Sequence, residues 1–204
     1  MNPYKITEDF EAALCEYTGA KYAVAVNSCT AALWLSLLWL QHRYDFGECG
    51  TTLTIPRKTY PSVAAVARHV GWQIQWSDAP WRGAYQLAPL PIWDCARRFT
   101  SGMHRAGQYQ CVSFSTSKIL GLEQGGAILH DNADADAWFR RMRFDGRTAG
   151  ADPYADDIKE WGHHCIMLPS TAAALLLKLY HLPRHNEDLP ERDYPDLSKM
   201  SAFQ

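Results

Sequence analysis

The sequence predicts an α/β protein built on a mostly parallel sheet with helices on both faces. Three observations carry that reading. Short apolar runs of strand length alternate with apolar-periodic stretches of helix length, an order that calls for a layered sheet. The chain has 204 residues and 47% hydrophobic content, enough for one sizeable core, so a single domain over residues 1–182 is expected, followed by an arm over residues 183–204. Finally, hydroxyl-bearing or acidic residues stand at the ends of several predicted strands, where open α/β sheets bind their ligands.

Taken in order, Phe10, Ala13, Leu14 and Tyr17 have the spacing of an amphipathic helix over residues 7–17, closed by Gly19. Residues 22–26 (YAVAV) read as a buried strand, and residues 31–40 as a strongly apolar helix. The turn between them, Asn27-Ser28-Cys29-Thr30, carries hydroxyls at a helix start. Ser28 or Thr30 is there either a simple N-cap or a cap that also presents backbone N–H groups to an anion. The turn contains no glycine, so neither a nucleotide P-loop nor a dinucleotide fingerprint fits.

Residues 42–51 form a polar connection to a short strand at 52–55. Thr59-Tyr60-Pro61-Ser62 opens a helix that runs to Val70. Residues 73–76 are a strand, 79–89 a proline- and aromatic-rich loop, and 90–93 a strand with Asp94 at its end. That aspartate either caps the turn through Cys95-Ala96 or faces a ligand. A strand over residues 110–114 leads into a Ser/Thr-rich loop that presents one lysine, Lys118, before Gly125-Gly126 and an apolar run at 127–129. A lysine held by hydroxyls at a strand end suits an aldehyde cofactor such as pyridoxal 5′-phosphate (PLP), which needs a close, partly deprotonated amine and phosphate donors. A capped helix over residues 131–143, an irregular stretch over 148–161 and a helix over 170–181 with Ser170 as its cap complete the domain. The proline-rich, mixed-charge arm reads as extended or disordered.

The net charge of −2 with scattered basic residues argues against a nucleic-acid groove. No apolar run is long enough for a membrane span and the polar N-terminus shows no leader, so a cytoplasmic protein is expected. Six widely spaced cysteines without a CxxC pair read as reduced thiols rather than disulfides or zinc ligands. His163-His164 are adjacent and poorly placed to share one metal ion.

These motifs, in this order, resemble the sugar aminotransferases of the DegT/DnrJ/EryC1/StrS family, fold-type I PLP enzymes. Residues 10–33 (FEAALCEYTGAKYAVAVNSCTAAL) resemble the family's opening helix, strand and phosphate turn. Thr59-Tyr60 corresponds to its Thr-aromatic pair, Trp93-Asp94-Cys95-Ala96 to its aspartate motif, and residues 113–128 to its serine–lysine–Gly-Gly segment. The resemblance implies a PLP-dependent aminotransferase. Lys118 would form the Schiff base and move protons, Asp94 would face the pyridine nitrogen and Tyr60 would stack on the ring. Ser28, Cys29 and Thr30, with Ser113, would hold the phosphate. It implies an amino-acid donor, a keto or aldehyde acceptor (usually a sugar), and a homodimer in which His164 reaches the partner's phosphate.

Departures accompany the likeness. Cys29 stands where the family has glycine, Glu123-Gln124 precede the glycine pair, and Gly162-His163-His164 replaces a Gly-aromatic-Asn segment. Arg97 takes the place of a glutamine or histidine against the cofactor's phenolic oxygen. It can bond that oxygen, anchor a donor carboxylate, or be an ordinary surface arginine. Only fifteen residues separate Asp78 from Asp94, where a helix and strand are usual, and most of a small C-terminal domain is missing. A PLP-binding protein that has lost sugar transamination is therefore the alternative reading, and a degenerate partner-binding relative the third.

Overall fold

The computed structural model describes residues 4–44, 52–152 and 154–204; Cys49 and most of the 42–51 connection lie outside them. The elements are α1 (Lys5–Thr18), β1 (Tyr22–Val26), α2 (Cys29–Arg43), β2 (Thr52–Pro56), α3 (Pro61–His69), β3 (Gln73–Ser77), β4 (Tyr85–Gln86), β5 (Ile92–Asp94), β6 (Tyr109–Ser113), β7 (Gly126–His130), α4 (Ala133–Met142) and α5 (Pro169–Tyr180).

Five strands pair in the order β1-β7-β6-β5-β4, and β2-β3 form a parallel pair beside them. One bridge joins the two sheets, with the Thr54 N–H donating to the Ala88 carbonyl at 2.8 Å. The sheet is mixed, which corrects the expectation of mostly parallel strands: in the five-stranded part only β5-β6 run parallel. The cause is local. No helix separates β6 from β7, so the chain returns antiparallel, and the short segment before Asp94 folds as the tight β4-β5 hairpin instead of a helical crossover.

Helices do cover both faces, as the period-two pattern of the strands dictates. Val24, Val26, Ile92, Cys111 and Ile128 point into one core with α2, α3 and α4. Ala23, Ala25, Val112, Ala127 and Leu129 point into the other, with Phe10 and Leu14 of α1 and Ala172, Leu175 and Leu179 of α5. α2 is apolar nearly all round because it is packed on the sheet between other helices. Gly19 ends α1 in the left-handed region, its N–H bonded to the Cys15 carbonyl. α5 begins two residues earlier than a Ser170 cap would place it, with Leu168 as N-cap, since Pro169 in the first turn needs no N–H partner.

A buried charge cluster pins three elements together. Glu11, 3% exposed, accepts from Arg140 at 2.6 Å, from Arg143, and from the Ala25 N–H at 2.8 Å. Arg140 and Arg143 also donate to the Ala23 and Ala25 carbonyls, so α1 and α4 are both tied to β1.

Residues 183–204 lie along the domain and carry two short 3-10 turns, Leu197–Lys199 and Ser201–Phe203. The Ser101 N–H donates to the Arg184 carbonyl, Asn186 donates to the Tyr17 hydroxyl, and Asp188 takes a two-point fork from Arg98. Gly83 has room for Asp188 only because it lacks a side chain, since a Cβ there would lie 2.1 Å from the carboxyl carbon. Beyond that, Leu189 bonds to Arg97 through the backbone, and the Leu197 N–H bonds to the Arg57 carbonyl with its own side chain fully buried.

His130, fully buried on β7, lies among the rings of Tyr22, Tyr109 and Phe139, and neither ring nitrogen has a hydrogen-bond partner. Burial pushes its pKa down from the ordinary 6.5 to about 4, against the pull of Asp136 3.8 Å away. The unfolded chain therefore binds a proton near pH 6.5 that the native state refuses, so this stability is complete above pH 6.5 and lost as pH falls toward 4. At roughly 1.4 kcal/mol per pH unit, the loss reaches about 3 kcal/mol. Urea midpoints should fall across that window in the wild type and fall less in His130→Phe; parallel curves would contradict the assignment.

Candidate active site

One cleft of about 250 Å³ gathers the site residues that the sequence singles out, except His164. Its floor is built by three strand ends. β1 turns into α2 at Ser28, which caps the helix by accepting from the Ala31 N–H at 3.1 Å. The first-turn N–H groups of such a helix have no partners within it and point outward with the positive end of the dipole. Thr30, in that turn, shares a hydrogen bond with Ser62 of α3 at 2.7 Å. The Cys29 thiol turns inward to the Cys111 carbonyl, 3.5 Å away, so the side chain that replaces glycine does not fill the turn.

Gly126 makes this approach possible. A Cβ there would lie 2.5 Å from the Cys29 nitrogen, so any other residue would push β7 off the start of α2. Behind it, the loop from Ser113 to Gly125 is closed by the Phe114 N–H on the Gly125 carbonyl and the Leu122 N–H on the Phe114 carbonyl, and it presents Lys118. The Lys118 amine has no hydrogen-bond or ion-pair partner among the described residues. Burial lowers its pKa; Asp94 opposes the change, while Arg97 and Arg192 reinforce it. An amine so placed is easier to deprotonate, and so to use as a nucleophile or base, than a solvated lysine.

Asp94, at the end of β5 and 5% exposed, uses both carboxyl oxygens. Oδ1 accepts from the Ala96 N–H at 2.8 Å, the capping contact, and Oδ2 accepts from the Tyr85 hydroxyl at 2.8 Å. Thr59 meets the same phenol at 2.6 Å, so Thr59, Tyr85 and Asp94 form a buried chain. Burial raises the Asp94 pKa, and the Ala96 N–H, the phenol and Lys118 counter it. A carboxylate has about four acceptor positions, so a further donor can still be taken from the cleft.

Arg97 is no surface arginine: it is 7% exposed. Its Nε donates to the Pro190 carbonyl, and its Nη1 is buried without a hydrogen-bond partner. Tyr60 stands exposed on the opposite wall, edge-on to Tyr194 at 6.3 Å between centroids. Ser113 and Ser115 line the cleft beside Lys118. His164 does not line it. It lies on a segment bridged to Phe144, with Nδ1 2.7 Å from the Asp145 carboxylate, and its side chain is 71% exposed.

Absent from the sequence-based assignment are Trp81, which lines the cleft, Tyr85, which bonds Asp94, and Arg192 and Tyr194, which also line the cleft. The first two fall in what reads as a proline-rich loop, and the last two in the arm. A larger hollow of about 400 Å³ lies by Tyr4, Phe144 and Met167, but its arginines are already paired, Arg140 and Arg143 with Glu11 and Arg141 with Glu160. The cleft at Lys118 is the candidate site.

Residues 1–82 match the family model of the DegT/DnrJ/EryC1/StrS aminotransferase family. That stretch holds Ser28, Cys29, Thr30 and Tyr60, whereas Asp94 and Lys118 lie beyond it. Solved structures extend the likeness along the chain. AtS13 from Actinomadura melliaura superposes with a TM-score of 0.74 at 21% identity, over 87% of this chain and 60% of that one. Helicobacter pylori PseC, an aminotransferase of pseudoaminic acid biosynthesis, gives 0.71 at 16% identity, over 87% and 58%. S. venezuelae DesV, solved with a ketimine intermediate, gives 0.67 at 20% identity, over 87% and 57%. The fold is therefore that of the fold-type I PLP aminotransferases, and the chain spans about 60% of the length of the structures it matches. A search of curated proteins returns no match.

Proposed function

We propose that the protein is a PLP-dependent aminotransferase that moves an amino group from an amino-acid donor to a keto or aldehyde acceptor. The observation that carries this reading is the unpartnered, pKa-lowered amine of Lys118, in one cleft with buried Asp94 and the start of α2. The residues fit the cofactor: the first turn of α2 with the Thr30 and Ser113 hydroxyls suits an anionic phosphate, and buried Asp94, which accepts two hydrogen bonds, has acceptor positions left for a ring nitrogen. Ser28, Thr30 and Ser113 would hold its phosphate, Tyr60 would cover its ring, and Asp94 would hold its ring nitrogen. When bound, PLP supplies an electron sink for the bonds of the substrate's α-carbon.

The chain's own groups do the rest. Lys118 Nζ holds the cofactor and takes the proton from the substrate α-carbon. The buried chain from Thr59 through Tyr85 fixes the Asp94 carboxylate, so no reorganisation is needed when a positive charge must be held beside it. Tyr60 and Tyr194 narrow the mouth of the cleft and limit water. A homodimer fits this reading, with exposed His164 reaching the partner subunit's site, and so does a cytoplasmic protein with reduced thiols; the five described cysteines are free. Because another solved structure that the chain resembles, CalS13 from Micromonospora echinospora, is a sugar aminotransferase, a sugar is the acceptor class to try first.

The test is a half-reaction. PLP-loaded protein given glutamate or another amino acid should release one equivalent of 2-oxo acid per loaded site. Loaded protein that releases none from any amino acid would overturn transamination and leave a cofactor-binding protein.

A further inference from the structure

We propose that residues 189–197 form a built-in strap across the mouth of the cleft, and that Arg192 and Tyr194 on this strap, with Arg97 beneath it, select substrates that carry a carboxylate. This rests on reading the cleft as a transamination site and adds the residues that recognise the substrate. The strap is fixed at both ends. Leu189 accepts from the Gly83 N–H and donates to the Arg97 carbonyl, while Leu197 is buried and bonded to the Arg57 carbonyl. Between these anchors Arg192 and Tyr194 line the cleft, and the Tyr194 ring meets that of Tyr60 across it.

Charge identifies the ligand. The cleft is lined by two arginines, Arg97 and Arg192, and by the Lys118 amine, against two carboxylates. Asp94 already accepts two hydrogen bonds, and Glu123 is exposed. Arg97 is 7% exposed with Nε on the Pro190 carbonyl of the strap, yet its Nη1 has no partner. With no carboxylate paired to it among the described residues, the Arg97 charge draws an anion that enters the cleft. A planar carboxylate matches the guanidinium fork. Arg192, on the same strap and nearer the solvent, would meet a second anionic group or steer the first.

The experiment uses glutarate, an unreactive dicarboxylate, and glutaramide, its uncharged analogue of equal length. Binding to PLP-loaded and cofactor-free protein is followed by calorimetry, and cofactor loading is read separately from visible absorbance. Glutarate should bind the wild type and glutaramide should not. Arg192→Gln should weaken glutarate about tenfold or more, and Arg192→Lys should recover part of it, with loading and thermal stability unchanged. Equal glutarate affinity in wild type and Arg192→Gln, or dependence on Arg97 alone, would overturn the role of the strap while leaving the transaminase reading intact. Glutarate binding that needs Arg192 in a protein that never loads PLP would do the reverse.

Discussion

Replacing Lys118 with alanine should stop the release of 2-oxo acid from amino donors, lowering the half-reaction rate by roughly 10²–10⁴-fold or more, the range supplied by a positioned acid–base group. The expectation follows from where the amine sits. Lys118 is the one lysine in the cleft, and no carboxylate or carbonyl engages its Nζ among the described residues. Burial, aided by Arg97 and Arg192, holds its pKa below that of an ordinary lysine. The loop that presents it is closed by backbone bonds between Phe114, Leu122 and Gly125 rather than by the amine, so the variant should fold and load cofactor without a covalent link. Single-turnover kinetics with saturating glutamate would show the loss. A variant that turns over at the wild-type rate would remove Lys118 from the chemistry.

Asp94→Asn should slow the same half-reaction by tenfold or more while leaving the cofactor bound. A hydrogen bond to a charged group contributes about 1.5–3 kcal/mol, and losing that much from a transition state costs at least one order of magnitude in rate. Tyr85→Phe should have the smaller effect, because it removes one of the two bonds that hold the carboxylate and leaves its charge. Stopped-flow comparison of the two variants separates the roles. Unchanged rates in Asp94→Asn would reduce this residue to the cap of the Ala96 N–H.

Much of the candidate site was legible in the sequence because its parts are local. The turn at Ser28-Cys29-Thr30, the loop at Lys118 and the strand end at Asp94 each declare themselves by residues next to one another, and sheet geometry alone brings strand ends together. Cys29 shows the limit of a substitution read by type. Its thiol turns inward to the Cys111 carbonyl, and the close approach is provided at Gly126 instead.

Tyr85 was hidden for a different reason. A two-residue strand among prolines has no periodicity, and only the pairing with β5 places its phenol on Asp94. The same shortness hid the direction of the strands. Arg192 and Tyr194 were out of reach because nothing local in a proline-rich, mixed-charge arm says where it docks. The contacts of Asp188 with Arg98 and of Leu197 in the core decide that, and both are long-range. Arg97 left several roles open in the sequence, and its burial removes the surface role.

The central claim is that Lys118 is the residue that carries PLP, and chemical mapping tests it most directly. Purified protein loaded with PLP, reduced with borohydride and digested should yield one modified peptide, with a pyridoxyl mass on Lys118 and none on that peptide in Lys118→Ala. A pyridoxyl mass fixed on another lysine, or no modification in a protein shown to be folded, would contradict the account.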